Sequence, residues 1–332
     1  MNEDNKETAT TETKSIELVD RETLPEGKAL PVKVDHSKLY VWVADSDNDR
    51  IQKFDGNGKF LFEFGKSGGS RPPYLPGEFK SPGSIAIDSS GNIWVADTGC
   101  HRIQKFDEMG NSLLQVGVEG WGQDKFYWPE SIIFEPLGTI LVVDTGNHCL
   151  KRFDDDGDFL LGFGFAGNFD GFLKFPSDVA VDQEGNIYVA DRDNQRIQIF
   201  SEDGQFLSKF GEYGFEEGRF NFPTGLVVRK NGEILVVEKS QNRMQLFDKE
   251  GNFLDAVGEF GKRDGQFNCP MAVVEDPYGY IFVADTLNNR IQKFDPDLNF
   301  VSKWGTVGKE TREFRNPGGL RLSWEPDWAP KD

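Results

Sequence analysis

An acidic residue returns through this chain at Asp45, Asp97, Asp144, Asp191, Glu238 and Asp285, at intervals of 52, 47, 47, 47 and 47 residues. The segment around it is clearest at Gly185-Asn-Ile-Tyr-Val-Ala-Asp191, followed by Arg196-Ile-Gln-Ile-Phe200 and a turn at Gly204. Both apolar runs are rich in β-branched and aromatic residues and too short for helices. Asp-Arg-Asp-Asn-Gln between them is turn chemistry, so the unit predicts an antiparallel β pair. A fixed period of this size means one supersecondary unit repeated radially or linearly, each copy burying its apolar face on the next.

Other landmarks keep the same period. An arginine stands five residues after the acidic anchor at Arg50, Arg102, Arg196, Arg243 and Arg290, and Cys149 alone breaks the series. Phe54, Phe106, Phe153, Phe200, Phe247 and Phe294 follow. Each unit closes on Gly65, Gly117, Gly164, Gly211, Gly258 or Gly305, and the next opens at Pro82, Pro129, Pro176, Pro223, Pro270 or Pro317. The count is six.

The recurring pattern, Pro-x-x-x-x-x-Asp…Gly-Asn-Ile-x-Val-Ala-Asp-x-x-Asn-x-Arg-Ile-Gln-x-Phe-Asp-x-x-Gly, resembles the NHL repeat. The resemblance covers roughly residues 37 to 322 and implies an all-β fold, a six-bladed β-propeller of four-stranded antiparallel blades. Residues 1–29, acidic and poor in aromatics, are expected to be a disordered tail, 30–323 the propeller and 324–332 a C-terminal tail. Pro317-Gly-Gly-Leu-Arg-Leu-Ser323 matches the opening strand of a unit, with nothing after it to continue a sheet. It is therefore expected to close the ring by completing the blade begun at Leu39-Tyr-Val-Trp-Val-Ala-Asp45, where Val32-Lys-Val34 is a cramped version of the first strand.

Charge narrows the function. A formal charge of −19 opposes binding to a phosphate backbone, which needs clustered Lys and Arg, so nucleic acid is excluded as a partner. The same charge predicts a monomer, and since no apolar run approaches a membrane span and the polar start lacks a signal pattern, a cytoplasmic location is expected. Three scattered cysteines, Cys100, Cys149 and Cys269, read as free thiols.

Counting strand directions puts the tight Gly-closed turns on one face of the disk. The loops after each acidic anchor and the long interblade linkers lie on the other. Long varied loops on a rigid frame are where binding residues sit. The most distinctive linker there runs from Gly65 to Pro82 and carries about five extra residues.

The repeated Asp and Arg serve the blade, as a turn acceptor and an interstrand ion pair, so function belongs where the copies differ. The residue after each opening proline should face the central channel, and it reads Gly83, Glu130, Ser177, Thr224, Met271 and Gly318. In a relative of the family, peptidyl-α-hydroxyglycine α-amidating lyase, histidines after such prolines ligate zinc. Here none stands at those positions, and His36, His101 and His148 do not make the three ligands a zinc site wants. The stretch Val189-Ala-Asp-Arg-x-Asn-x-Arg-Ile-Gln resembles the one supplying a substrate-binding arginine of that lyase, which maps to Arg192. Lys239 occupies the equivalent place in the next unit, where the others have Ser46, Thr98, Thr145 and Thr286. Two adjacent cations suit a carboxylate or a phosphate, and the plainer reading is two solvated loop charges. Glu130 and Asp178 fall near the channel mouth, where two carboxylates suit calcium as in propeller lactonases, though such a site takes six or more oxygens. Trp121, Tyr127 and Trp128, clustered in one linker, form an aromatic contact surface.

The candidate binding residues are thus Trp121, Tyr127, Trp128, Glu130, Asp178, Arg192 and Lys239, with no catalytic residue, no cofactor and no metal assigned. NHL propellers also form the recognition ends of tripartite-motif ubiquitin ligases, so the resemblance implies a noncatalytic recognition propeller that takes a protein or peptide on its long-loop face. The alternative is a divergent metal-assisted lyase or lactone hydrolase using calcium or zinc at the channel mouth.

Overall fold

The computed structural model describes residues 34–69 and 72–325. The expected tail at 1–29, and all but the first two residues of the one expected at 324–332, lie outside the described residues. Six four-stranded antiparallel sheets are present, each with its strands in spatial order from channel to rim. Blade 2 is typical, with strands Ser84–Ile87, Ile93–Asp97, Arg102–Phe106 and Ser112–Val116. The innermost strands of successive blades pack on one another in a closed ring that includes the C-terminal strand between blades 6 and 2. The architecture is the six-bladed propeller that the resemblance implied.

Blade 1 corrects one detail. Its inner strand is Pro317–Trp324, paired with Leu39–Asp45, then Arg50–Asp55 and Phe60–Phe64. Val34 carries no strand, and residues 32 and 33 lie outside the described residues. The inner slot that Val32–Val34 was expected to share is filled by chain from the other end, whose strand runs one residue past the predicted boundary to Trp324. The junction is also tied by side chains: Trp42 Nε1 donates to Ser323 Oγ at 2.9 Å and Tyr40 Oη to Glu325 at 3.0 Å.

The core lies between blades. Ala86, Trp94, Ala96, Ile103 and Val116 of blade 2 pack against Ile132, Ile140, Val142 and Phe153 of blade 3 with Phe126 from the linker between them. Every second strand is buried on both faces, which is why its alternation is lost and Ile-Leu-Val-Val or Ile-Trp-Val-Ala takes its place. Phe79, Phe126, Phe220, Phe267 and Phe314, one in each of five linkers, and Leu173 in the sixth, are fully buried. Each such side chain is worth about 1.5–3 kcal/mol on burial. They also explain the glycine that closes each unit. At Gly65 φ is +104°, and a Cβ there would sit 2.5 Å from the ring of Phe79. Only glycine tolerates both the left-handed backbone and that approach.

Candidate functional site

The acidic anchors are clamps. Asp191 is fully buried, and its carboxylate accepts from Arg196 Nε at 2.7 Å, Gln198 Nε2 at 2.9 Å, Asn194 Nδ2 at 2.9 Å and the Lys174 backbone N–H at 2.7 Å. The same guanidinium donates onward to the carbonyls of Phe169 and Phe172. One Asp-Arg pair therefore closes the loop after its own strand and staples the linker that enters the blade. This is the structural role expected of the pair. It extends further than its sequence shows, because the partners across the linker are backbone groups with no side-chain signature.

Blade 3 keeps the clamp by other means. Cys149 replaces the arginine, and Lys151, at the glutamine position, reaches Asp144 at 2.7 Å and donates to the carbonyls of Gly122 and Lys125. One ammonium does the work of two side chains. The Cys149 thiol, half-buried beside Asp144, is pushed up to about 12, mainly by burial, which disfavours the thiolate.

The two loop histidines have a structural task as well. A single 3-10 turn follows most anchors, and the residue closing the loop is left-handed at Asp49, His101, His148, Gln195, Asn242 and Asn289. In all six blades that residue's side chain accepts a hydrogen bond from the backbone N–H preceding the next opening proline, at Ser81, Trp128, Phe175, Phe222, Cys269 and Asn316. His101 and His148 do so through Nδ1, at 3.1 and 3.0 Å. They stand where Asn242 and Asn289 stand elsewhere, as acceptors.

A ring of hydroxyls joins the blades nearer the channel. The residue after the anchor donates to the carbonyl of the next opening proline in four blades: Ser46 to Pro82 at 2.8 Å, Thr98 to Pro129 at 2.7 Å, Thr145 to Pro176 at 2.8 Å and Thr286 to Pro317 at 2.8 Å. In the two blades where that residue is Arg192 or Lys239 the bond persists from a different place. Ser177 donates to Pro223 at 3.1 Å and Thr224 to Pro270 at 2.9 Å. The hydroxyl has moved across to the inner strand, and the two cations take no part in this ring of hydroxyl bonds.

These six post-proline residues line a central cavity of about 440 Å³, as expected. A β-bulge sets Glu130, Thr224, Met271 and Gly318 there, each being the extra residue opposite its partner strand. At the mouth Arg192 reaches across from blade 4 to pair with Glu130 of blade 3 at 2.7 Å, with Asp193 at 3.5 Å on its other side. Burial pushes the Glu130 carboxyl up against the opposing pull of Arg192 and Lys239. Lys239 is exposed beside them. The structure thus brings Glu130, Arg192 and Lys239 together. Asp178 also lines the cavity, one residue deeper in its strand, where Ser131 Oγ donates to it at 2.6 Å and the Leu226 backbone N–H at 2.9 Å. Burial pushes its carboxyl up to about 6.

The aromatic candidates divide. Trp128 precedes the opening proline of blade 3, is 44% exposed, and forms a stack with Tyr127 and His101. Trp121 stands at the linker's outer part, 71% exposed and away from the cavity lining. Two residues that the sequence reading passed over complete an arc with Trp128. Phe175 and Phe222 hold the same pre-proline place in blades 4 and 5, and all three have positive φ, 53°, 44° and 59°. The signal was available in the column Ser81, Trp128, Phe175, Phe222, Cys269, Asn316. Aromatic side chains in that backbone region are costly, and the ring geometry imposes the cost at all six positions.

The donors do not fit a calcium or zinc ion. Both Asp178 oxygens accept protein hydrogen bonds and Glu130 is paired with Arg192. Among the described residues no three His, Cys, Asp or Glu side chains converge as a metal site. No helix of the described residues is long and apolar enough to cross a membrane.

The NHL repeat family model matches residues 79–106 and 173–200. Peptidyl-glycine alpha-amidating monooxygenase A of Xenopus laevis is 36% identical over 98 residues, 29% of this chain and 10% of that protein. NHL repeat-containing protein 3 of Homo sapiens is 34% identical over 88 residues, 24% of this chain and 24% of that protein. The matched stretch therefore spans a tenth to a quarter of these relatives' lengths. Among solved structures, a Bacteroides caccae protein of unknown function superposes with a TM-score of 0.65 at 14% identity, covering 86% of this chain and 99% of that one, a likeness of fold alone. Two of the six phased copies of the motif thus match the NHL repeat as such, and the six copies together build a six-bladed β-propeller.

Proposed function

We propose that this propeller is a noncatalytic recognition module that binds a protein or peptide partner on its long-loop face. The observation that carries the reading is the displaced hydroxyl in blades 4 and 5. Ser177 and Thr224 take over the interblade hydroxyl bond, which leaves Lys239 exposed at the mouth and turns Arg192 onto Glu130 there. They lie at the channel mouth inside the arc of Trp128, Phe175 and Phe222, and interface energy concentrates in Trp, Tyr and Arg anchors of this kind. The opposite face offers small acidic turns such as Asp55-Gly-Asn-Gly58 and Ser201-Glu-Asp-Gly204.

The test is capture of partners from cell extract on immobilised protein. Trp128→Ala, Trp121→Ala and Arg192→Ala are each expected to weaken capture by roughly 1 to 3 kcal/mol, and charge reversals at Glu202 and Asp203 to leave it intact. Binding that survived the loop-face changes and vanished with the turn changes would overturn the proposal. The lyase or lactone-hydrolase alternative needs metal ligands from Glu130 and Asp178, and both are already spent on Arg192, Ser131 and Leu226.

A further inference from the structure

Below the mouth the channel wall turns apolar, with one exception. The fourth residue after each opening proline reads Ala86, Ile133, Ala180, Val227, Val274 and, in blade 1, Arg321. Five of these six residues are aliphatic, four of them lining the cavity and Ala86 buried in the core between blades, and the sixth brings a guanidinium to the cavity lining. Its Nε is shut off from solvent and has no hydrogen-bond partner among the described residues. The charge it senses is Asp178, in blade 4, which faces blade 1 across a ring of six. Asp178 sits two residues nearer the mouth in register, a strand rise of about 7 Å, with both oxygens held by Ser131 and Leu226.

An arginine does not shed its proton to escape such a place. A charge buried without a partner is costly, and the usual remedy is a counter-ion with matching hydrogen-bond geometry. The space is there, because the cavity holds about 440 Å³ and Gly83, Gly318 and Gly319 line it. We propose that the central channel is a binding site for a compact carboxylate, entering from the long-loop face and held by the guanidinium of Arg321. The planar fork offers two parallel N–H donors, the geometry that a carboxylate takes in both oxygens. A single arginine with Glu130 and Asp178 in the same channel favours a monoanion over a phosphate dianion. Lys239, exposed at the mouth, lies on the way in.

Thermal melting and calorimetric titration test this in chloride buffer at fixed ionic strength. Acetate, lactate, and N-acetyl-triglycine as free acid or amide are the probes, with acetamide as the neutral control. Acetate or lactate is expected to raise Tm saturably and acetamide to leave it unchanged. A response to the free-acid tripeptide but not its amide points to a peptide terminus as the source, and a response to acetate and lactate points to a free acid. Arg321→Met is expected to melt higher than the wild type without carboxylate and to lose the response, because it removes an unpaired charge. Arg321→Lys keeps the charge without the fork, and binding roughly tenfold weaker is expected. The proposal is overturned if wild-type protein shows no carboxylate-dependent rise, if Arg321→Met still shows it, or if inorganic phosphate binds where the carboxylates do not.

Discussion

Ser177 Oγ donates to the Pro223 carbonyl at 3.1 Å across the boundary of blades 4 and 5, doing there what Thr145 Oγ1 does for Pro176 at 2.8 Å one blade earlier. The two hydroxyls come from different strands. What is kept around the ring is the bond, and the residue that makes it is free to move when another function claims its place.

Removing that bond is expected to cost stability in proportion to a buried carbonyl left without a donor. Ser177→Ala should lower the free energy of unfolding by about 1–3 kcal/mol in urea titration. Arg192→Thr restores the donor at the position used by four other blades. The double variant Ser177→Ala/Arg192→Thr should therefore recover most of the loss. Additive losses would show that the hydroxyls are not interchangeable.

His148 is expected to behave as an acceptor. Burial holds its imidazole below the usual histidine range, so the folded protein prefers the neutral ring whose Nδ1 accepts from Phe175. A folded-state value below the unfolded one means that the contribution is present at neutral pH and is lost as pH falls through the folded value. His148→Asn, copying Asn242 and Asn289, should keep the bond and remove this acid sensitivity. His148→Ala should lose the bond at every pH. Melting temperatures at pH 7.5 and pH 5 for the three proteins distinguish these outcomes.

Lys151 should be among the most sensitive residues of blade 3. Lys151→Gln leaves the fully buried Asp144 without a cation, and breaking a buried pair costs about 3–5 kcal/mol. Adding Cys149→Arg rebuilds the arrangement of the other blades, with arginine and glutamine on one carboxylate. Recovery of the urea midpoint in that double variant is the expected result.

Asp178 should make the protein less stable as pH rises from about 4 to about 6. Its folded value, about 6, lies above its unfolded one, so the folded state holds the proton over that window and stability falls as the proton leaves. Asp178→Asn mimics the protonated form and can still accept from Ser131. The stability difference between variant and wild type should shift in the variant's favour across the window and stay level outside it. A difference independent of pH would contradict the raised value.

Much of this was legible in the amino-acid order because the repeat is a local code read six times. The spacing from Asp to Arg to Phe to Gly reflects strand length and turn length, both set within a few residues of backbone, so, while the propeller fold followed from the resemblance to the NHL repeat, the number of units and the two faces followed by counting. So did the channel position of Gly83, Glu130, Ser177, Thr224, Met271 and Gly318, since side chains alternate with a known period along a strand. Partnership between blades was not legible. The pairing of Glu130 with Arg192, the transfer of a hydroxyl from the Thr145 position to Ser177, and the isolation of Arg321 opposite Asp178 all join residues tens to more than a hundred positions apart. Ring closure brings them together, and the distances across a closed ring are set by the packing of all six interblade cores at once.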